Sequence, residues 1–279
     1  MVDRISAPEM PGAPQVASPE RVHRHECLLR WADVDPLGHV NNVAYAEYLQ
    51  EAHEALLRRR CEPAGGAAAR DELQPAALRY EVTFLAPLML AARSVEVECR
   101  ATQGSSGQLT IASELAHSSL DSRMVVARSS ALFGTRGRPP TRARDAFGDR
   151  HHTALQVRRS DVDGAGRLGD VGCFEYLQEA RIQLIAELGI DPTATVVAQK
   201  DVDLFGAPAL AAEGIDVWSW VSRVGGRSTT IESTVMSGDD ELAHGSVTLV
   251  FFSPQLQKSV SPSPDVLAAL RSRVPSAPA

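Results

Sequence analysis

Two stretches of the chain carry apolar residues at the spacing of an amphipathic helix. The first covers residues 43–60, and the second covers Asp170–Leu188, with Gly189 placed to end it. A strand-like segment precedes each helix, and about four segments of alternating apolar and polar residues follow it, as in strands with one buried face. The predicted strands are residues 23–31, 79–85, 94–101, 109–117 and 123–133 in the first half, and 154–159, 202–205, 215–221, 228–236 and 242–252 in the second.

The two helices lie in matching segments of sequence. Asp33–Ala52 and Asp161–Ala180 are both 20 residues long, and 11 of their aligned positions are identical. The run Glu47–Ala52 returns unchanged as Glu175–Ala180, 128 residues later. Such a match indicates an internal duplication.

The order of elements predicts an α+β fold made of two tandem domains. A helix that is apolar along one face needs a sheet to cover it, so each half should be an antiparallel sheet wrapped around a long central helix. Sheet edges left open by one copy can pair with the other copy, giving a pseudo-two-fold dimer within one chain. The predicted divisions are a tail (1–22), domain 1 (23–135), a linker rich in Pro, Gly and Arg (136–151), domain 2 (152–254) and a C-terminal tail (255–279) with one short helix around 265–273.

Composition narrows the classes of function. The net charge of −7 lacks the basic footprint of a nucleic-acid-binding protein. The four cysteines form no CxxC pair and no metal-binding spacing, which predicts reduced thiols and a cytoplasmic location. No apolar run approaches the roughly 20 residues that cross a bilayer, so we expect no membrane span.

The segment between the first strand and the first helix, Asp33–Asn42, resembles a known family motif. Followed by Tyr45 and Glu51, it is similar to the opening signature of the hotdog-fold acyl-CoA thioesterases of the 4-hydroxybenzoyl-CoA thioesterase group. The resemblance covers residues 23–135 and 152–254 and implies a tandem double hotdog. It also implies an acyl-CoA or acyl-carrier substrate, no metal or redox cofactor, and active sites at the seam between paired hotdogs.

The resemblance assigns roles to individual positions. The second aspartate of the motif would be the catalytic carboxylate, which is Asp35 in the first half and Asp163 in the copy. A backbone N–H at the start of the central helix would polarise the thioester carbonyl, at Asn42 and, in the copy, at Asp170.

The residues themselves fit this chemistry. A helix N-terminus offers free N–H groups and a positive dipole end for the developing negative charge, and a nearby carboxylate can attack the carbonyl or activate a water. Gly38 lets the chain fold back between Asp35 and Asn42, and the spacing does not choose between nucleophile and base. Asn41 and Asn42 are suitable helix caps, and His39 is either a proton carrier or a turn residue. The secondary candidates are Glu51, on the helix, and Asp170.

The second copy departs from the motif, since Asp170 would place a carboxylate where oxyanion charge builds. We therefore favour one site built on Asp35, with Asp163 kept as a second. The alternative function is a non-catalytic protein that binds acyl-CoA or an acyl carrier on the same scaffold. A hotdog hydratase would carry a His five residues after the aspartate, where this chain has Val40. The sequence leaves open whether double-hotdog chains associate into homo-oligomers.

Overall fold

The structure is a computed structural model that describes residues 22–61, 75–104, 107–118, 122–162, 167–205, 214–253, 255–256 and 258–275. Except for Val22, the predicted N-terminal tail lies outside the described residues, and so does the candidate Asp163.

In the described residues, the two halves repeat one order of elements. The first half contains β1 (His23–Leu28), α1 (Asn42–Cys61), β2 (Ala76–Phe84), β3 (Ser94–Gln103), β4 (Leu109–Ser118) and β5 (Arg123–Gly134). The second contains β6 (His151–Leu155), α2 (Asp170–Glu187), β7 (Thr195–Leu204), β8 (Ile215–Val224), β9 (Ser228–Ser237) and β10 (Asp240–Ser253), followed by β11 (Lys258–Ser259) and α3 (Pro264–Ser272).

All of these strands join one sheet, in which the pairings between neighbours are antiparallel. Its order is β1-β3-β4-β5-β2-β7-β10-β9-β8-β6, with β11 added beside β10. The order of the second half is therefore that of the first with its direction reversed, which places a pseudo-two-fold axis at the seam. The predicted α+β fold and the edge-to-edge pairing of its two sheets are confirmed.

The seam is formed by β2 and β7, which pair with Tyr80 opposite Val202 and Val82 opposite Lys200. An ion pair crosses it on the outer face, where the Arg79 guanidinium donates to both carboxylate oxygens of Asp203, at 2.9 and 3.1 Å. One hydrophobic core runs under the seam and contains buried residues of both central helices. The two halves are thus a single packed unit rather than two tethered domains.

Each central helix lies on its own part of the sheet, and the two helices also touch each other. α1 contacts β1 and β3, while α2 contacts β6, β8 and β9. The side chains of Leu49 and Ala52 are fully buried, as are their equivalents Leu177 and Ala180. This agrees with the helical spacing of the apolar positions.

Segments outside the repeated elements are also packed. Within the predicted linker, Phe147 is buried and its ring stacks on that of Trp218 at 4.5 Å between centroids. α3 buries Leu270 in a second apolar cluster with Leu184 and Ile185 of α2. No helix in the described part of the chain is both long and apolar enough to cross a membrane.

Candidate active site at the seam

A cavity of about 720 Å³ lies between the two halves. This volume is in the range of small-molecule sites. Its walls come from the motif before α1, from the start of α1, from the segment after β2, and from one face of α2 with the start of β7. The lining includes Asp35, His39, Asn41, Asn42 and Tyr45 from the first half, and Gln178, Arg181, Ile182, Val197 and Phe252 from the second.

Asp35 is held in a tight turn by its own carboxylate. Its Oδ1 accepts hydrogen bonds from the backbone N–H of Leu37 (2.9 Å) and of His39 (3.1 Å). Gly38 closes the turn with φ +78°, in the left-handed region that favours glycine, and its N–H donates to the Asp35 carbonyl over 2.9 Å. Among the described residues, no hydrogen bond reaches Asp35 Oδ2, so this oxygen is available to a ligand.

α1 begins immediately after this turn. Asn41 is its N-cap, since the Asn41 side-chain oxygen accepts from the Val43 N–H at 3.0 Å. The N–H of Asn42, at the first helical position, has no acceptor in the described part of the chain. A helix start with a free N–H and a positive dipole end therefore borders the same cavity as Asp35.

The Asn42 side chain is fixed by the opposite half. Its amide nitrogen donates to Gln178 Oε1 on α2 (2.7 Å), and its oxygen accepts from Lys200 Nζ on β7 (3.0 Å). Lys200 Nζ also lies 4.9 Å from the centre of the Phe174 ring. The first residue of α1 is thus oriented by two residues that sequence reasoning did not select.

Two basic side chains of the second half are buried here: Arg181 lines the cavity, and Lys200 bonds the Asn42 side chain. Lys200 is 1% exposed, and burial together with the charge of Arg181 holds its pKa well below the usual lysine range. Arg181 is 6% exposed, and burial lowers its pKa to about 10. In the described residues neither side chain forms an ion pair with a carboxylate.

Asp33, the first aspartate of the motif, has a structural role. Its Oδ2 accepts from the Arg30 N–H (2.7 Å) and from the Tyr48 hydroxyl (2.6 Å), and the residue is buried away from the cavity. The second half repeats this contact, because Asp161 accepts from Tyr176 at 2.7 Å. The shared Asp and Tyr of the two repeats therefore secure the motif to its helix.

The equivalent helix start in the second half is occupied by an ion pair. Asp170 stands where α1 has Asn42, and its carboxylate pairs with Arg136 at 2.5 Å. The same Arg136 side chain donates to the carbonyl of Ala77 on β2. Cys173, the counterpart of Tyr45, is buried, and burial raises the pKa of its thiol to about 12.

Glu51 lies apart from this site. It is exposed on α1 and borders a separate groove with His23, His25, Arg58 and Arg59. The structure therefore brings Asp35, His39, Asn41 and Asn42 together at the cavity, with Gly38 in the turn beside them, and leaves Glu51 and Asp170 outside the cavity lining.

The residues that sequence reasoning missed come from the second half: Gln178, Arg181 and Lys200. One signal in the sequence points to Arg181. The identical run ends at Ala52 and Ala180, and the next position is His53 in one copy and Arg181 in the other. A charged residue on the buried face of one helix, at a position where the other copy has a histidine, indicates that the two copies use this position differently.

Comparison with known proteins supports the predicted resemblance. Residues 29–145 match the family model of the Thioesterase-like superfamily. No curated protein matches the sequence. The resemblance to hotdog-fold thioesterases is confirmed at the level of this superfamily, whereas membership of the 4-hydroxybenzoyl-CoA thioesterase group stays a prediction.

Solved structures match the fold over most of the chain. The 12:0-ACP thioesterase from Umbellularia californica shares 12% identity with a TM-score of 0.61, covering 82% of this chain and 93% of its own. An acyl-ACP thioesterase from Bacteroides thetaiotaomicron shares 9% identity with a TM-score of 0.55, covering 82% and 97%. A conserved protein of unknown function with a hot dog fold from Alicyclobacillus acidocaldarius shares 12% with a TM-score of 0.54, covering 83% and 94%. At these identities the likeness shows the fold alone.

Proposed function

We propose that this protein is an acyl-CoA thioesterase with one principal active site, built on Asp35 and the N-terminus of α1. The observation that carries the proposal is that the Asp35 carboxylate and the start of α1 line one cavity at the seam. The superfamily match of residues 29–145 supports thioester hydrolysis as the reaction class.

Each group has a defined part in the proposed reaction. The thioester carbonyl lies at the start of α1, where the Asn42 N–H and the helix dipole stabilise the negative charge that develops on its oxygen. Oδ2 of Asp35 either takes a proton from the attacking water or attacks the carbonyl carbon itself. The C–S bond then breaks, and the CoA thiolate leaves and takes up a proton. In the second route, water hydrolyses the resulting anhydride.

The turn around Asp35 suits this task. The two backbone N–H groups on Oδ1 hold the carboxylate in one orientation, so little reorganisation is needed when the substrate binds. The hydrogen bonds that Asn42 donates to Gln178 and accepts from Lys200 keep the helix start in place. Because a carboxylate and backbone donors supply both catalytic needs, the proposed reaction requires no metal, and EDTA treatment should leave it unchanged.

The test measures the release of free CoA from a panel of acyl-CoAs with a thiol reagent. Acyl-carrier substrates with the same acyl groups show whether the enzyme prefers CoA or a carrier protein as the leaving thiol. Asp35→Asn keeps an oxygen for the turn but removes the base, so kcat/KM should fall by about 100-fold or more while the melting temperature stays the same. Asp33→Asn is the matched control. It weakens the contact to Tyr48 and should lower the melting temperature while the folded fraction keeps turning over.

The second candidate function is non-hydrolytic binding of acyl-CoA. The pairing of Asp170 with Arg136 favours it for the second repeat, because a carboxylate there opposes an oxyanion. Saturable binding of acyl-CoA with no CoA released from any thioester would establish this function and overturn the proposed one.

A further inference from the structure

Arg181 borders the cavity as a buried cation with no counter-charge in the described residues. It is 6% exposed, and its Nε has no hydrogen-bond partner. Asp35 is the one carboxylate among the residues that line the cavity, and it forms no ion pair with Arg181. Burying an unpaired guanidinium is energetically unfavourable, so its retention needs an explanation.

The first half shows that the fold does not require an arginine at this position. The equivalent residue on α1 is His53, which is buried as well. His53 Nε2 bonds Ser113 Oγ at 2.8 Å, and its ring packs against those of Tyr80 and Phe133. Burial lowers its pKa to about 3, so His53 is neutral, although its Nδ1 has no hydrogen-bond partner in the described residues. Only the copy of this position that faces the cavity carries a charge.

The surroundings of Arg181 indicate what it binds. Neighbouring wall residues are apolar, and they include Ile182, Val197 and Phe252. Lys200 lies close enough for the charge of Arg181 to lower its pKa, so the positive charge of this end rests on Arg181. Arg181 follows Gln178 by one turn of α2, about 4.5 Å along the helix axis, and Gln178 bonds Asn42 at the proposed reaction centre. The cavity therefore offers a carbonyl site at one end and, a short distance away, a cationic end inside apolar walls.

We propose that Arg181 binds a carboxylate at the far end of the substrate's acyl group, so that the preferred substrates are short ω-carboxyacyl thioesters. The identification of the ligand as a thioester rests on the proposed function, whereas the binding of its carboxylate by Arg181 does not. The guanidinium presents paired N–H donors to the carboxylate, the geometry in which arginine binds it most strongly. A bound carboxylate supplies the counter-charge that the protein lacks.

A phosphate of CoA is the other anion that such a substrate carries. Arg181 is too deeply buried for that role, because the exposed residues of the lining, Pro36, Leu85 and Pro87, lie on the first half. The CoA part of the substrate leaves the cavity past the exposed residues of the lining, and the acyl group occupies the buried part. The experiment below separates these two sources of negative charge.

The test compares two thioether analogues that cannot be hydrolysed, S-(5-carboxypentyl)-CoA and S-hexyl-CoA, by calorimetric titration. They differ only in a terminal carboxylate or methyl group. Wild-type protein should bind the carboxypentyl analogue about tenfold or more tightly. Arg181→Met should lose or reverse this preference, whereas His53→Met, the same change in the other repeat, should retain it. If Arg181→Met does not fold, Arg181→His is used in its place, because histidine is the residue at the equivalent position of the first repeat.

The outcomes separate recognition from structure and from catalysis. Equal binding of both analogues by wild type overturns the proposal, as does an unchanged preference in Arg181→Met. S-(5-carboxypentyl)pantetheine and S-hexylpantetheine carry no phosphates, and the first should still bind more tightly than the second. If the two pantetheine analogues bind equally, Arg181 binds a phosphate of CoA and the proposal is overturned. Adipoyl-CoA and hexanoyl-CoA test turnover separately: if neither releases CoA while the analogue preference holds, the hydrolytic function fails and the recognition by Arg181 stands.

Discussion

Lys200 Nζ, on β7 of the second half, donates a hydrogen bond to the side-chain oxygen of Asn42, the first residue of α1 in the first half, over 3.0 Å. Gln178 accepts from the same side chain at 2.7 Å. The proposed reaction centre belongs to the first repeat by sequence, but its helix start is positioned by the second. This explains how a duplicated chain can keep one site while the other copy diverges.

Replacing Lys200 with Met should change how stability depends on pH. Burial lowers the pKa of Lys200, so between that lowered pKa and the ordinary lysine pKa of about 10.4 the unfolded chain binds a proton that the folded chain does not. Wild-type stability should therefore rise with pH relative to Lys200→Met, by up to about 1.4 kcal/mol per pH unit between the lowered pKa and the ordinary one. Urea denaturation at pH 8, 9 and 10, just below the ordinary lysine pKa, measures this, and a constant difference between the two proteins would contradict it.

His53 should make the first half sensitive to acid. Its pKa is lowered to about 3 by burial, so between pH 6.5 and 3 the unfolded chain binds a proton that the folded chain excludes. Stability from this residue is present above pH 6.5 and is lost as the pH falls. His53→Gln keeps a hydrogen-bonding group for Ser113 but does not titrate, so wild type should lose about 2 kcal/mol of stability relative to this variant between pH 7.5 and 5. Parallel stability curves for the two proteins would show that His53 is not the group responsible.

The turn that carries Asp35 should depend on Gly38. At φ +78° an alanine costs about 1–2 kcal/mol, although open space surrounds the position. Gly38→Ala should lower both the melting temperature and kcat, because the turn fixes the carboxylate. Gly137→Ala is the control: that glycine also faces open space but lies outside the left-handed region, so the change should leave both quantities as they are. Equal effects of the two substitutions would argue against a strained turn.

Much of the fold could be predicted because its signals are local. α1 was predicted as residues 43–60 and runs from Asn42 to Cys61, since its apolar face repeats with helical period. β7 was predicted only from residue 202, yet it begins at Thr195. The inward-facing position before Val202 is occupied by Lys200, which interrupts the apolar alternation that identifies a strand.

The site was predictable only on its first-half side. Asp35 and Asn42 lie seven residues apart, so a turn and a helix start suffice to place them together. Gln178 and Lys200 reach Asn42 from positions 136 and 158 residues away in sequence, through the pairing of β2 with β7. No local pattern encodes such contacts, and Lys200 beside Asp201 reads as a solvated charge.

The most direct test of one composite site is the hydrolysis rate of a single preferred acyl-CoA by Asp35→Asn and by Asp163→Asn, measured side by side. If the working site is that of the first repeat, kcat/KM falls about 100-fold or more in Asp35→Asn and stays within a few-fold of wild type in Asp163→Asn. Equal losses in the two variants, or a loss confined to Asp163→Asn, would contradict this account.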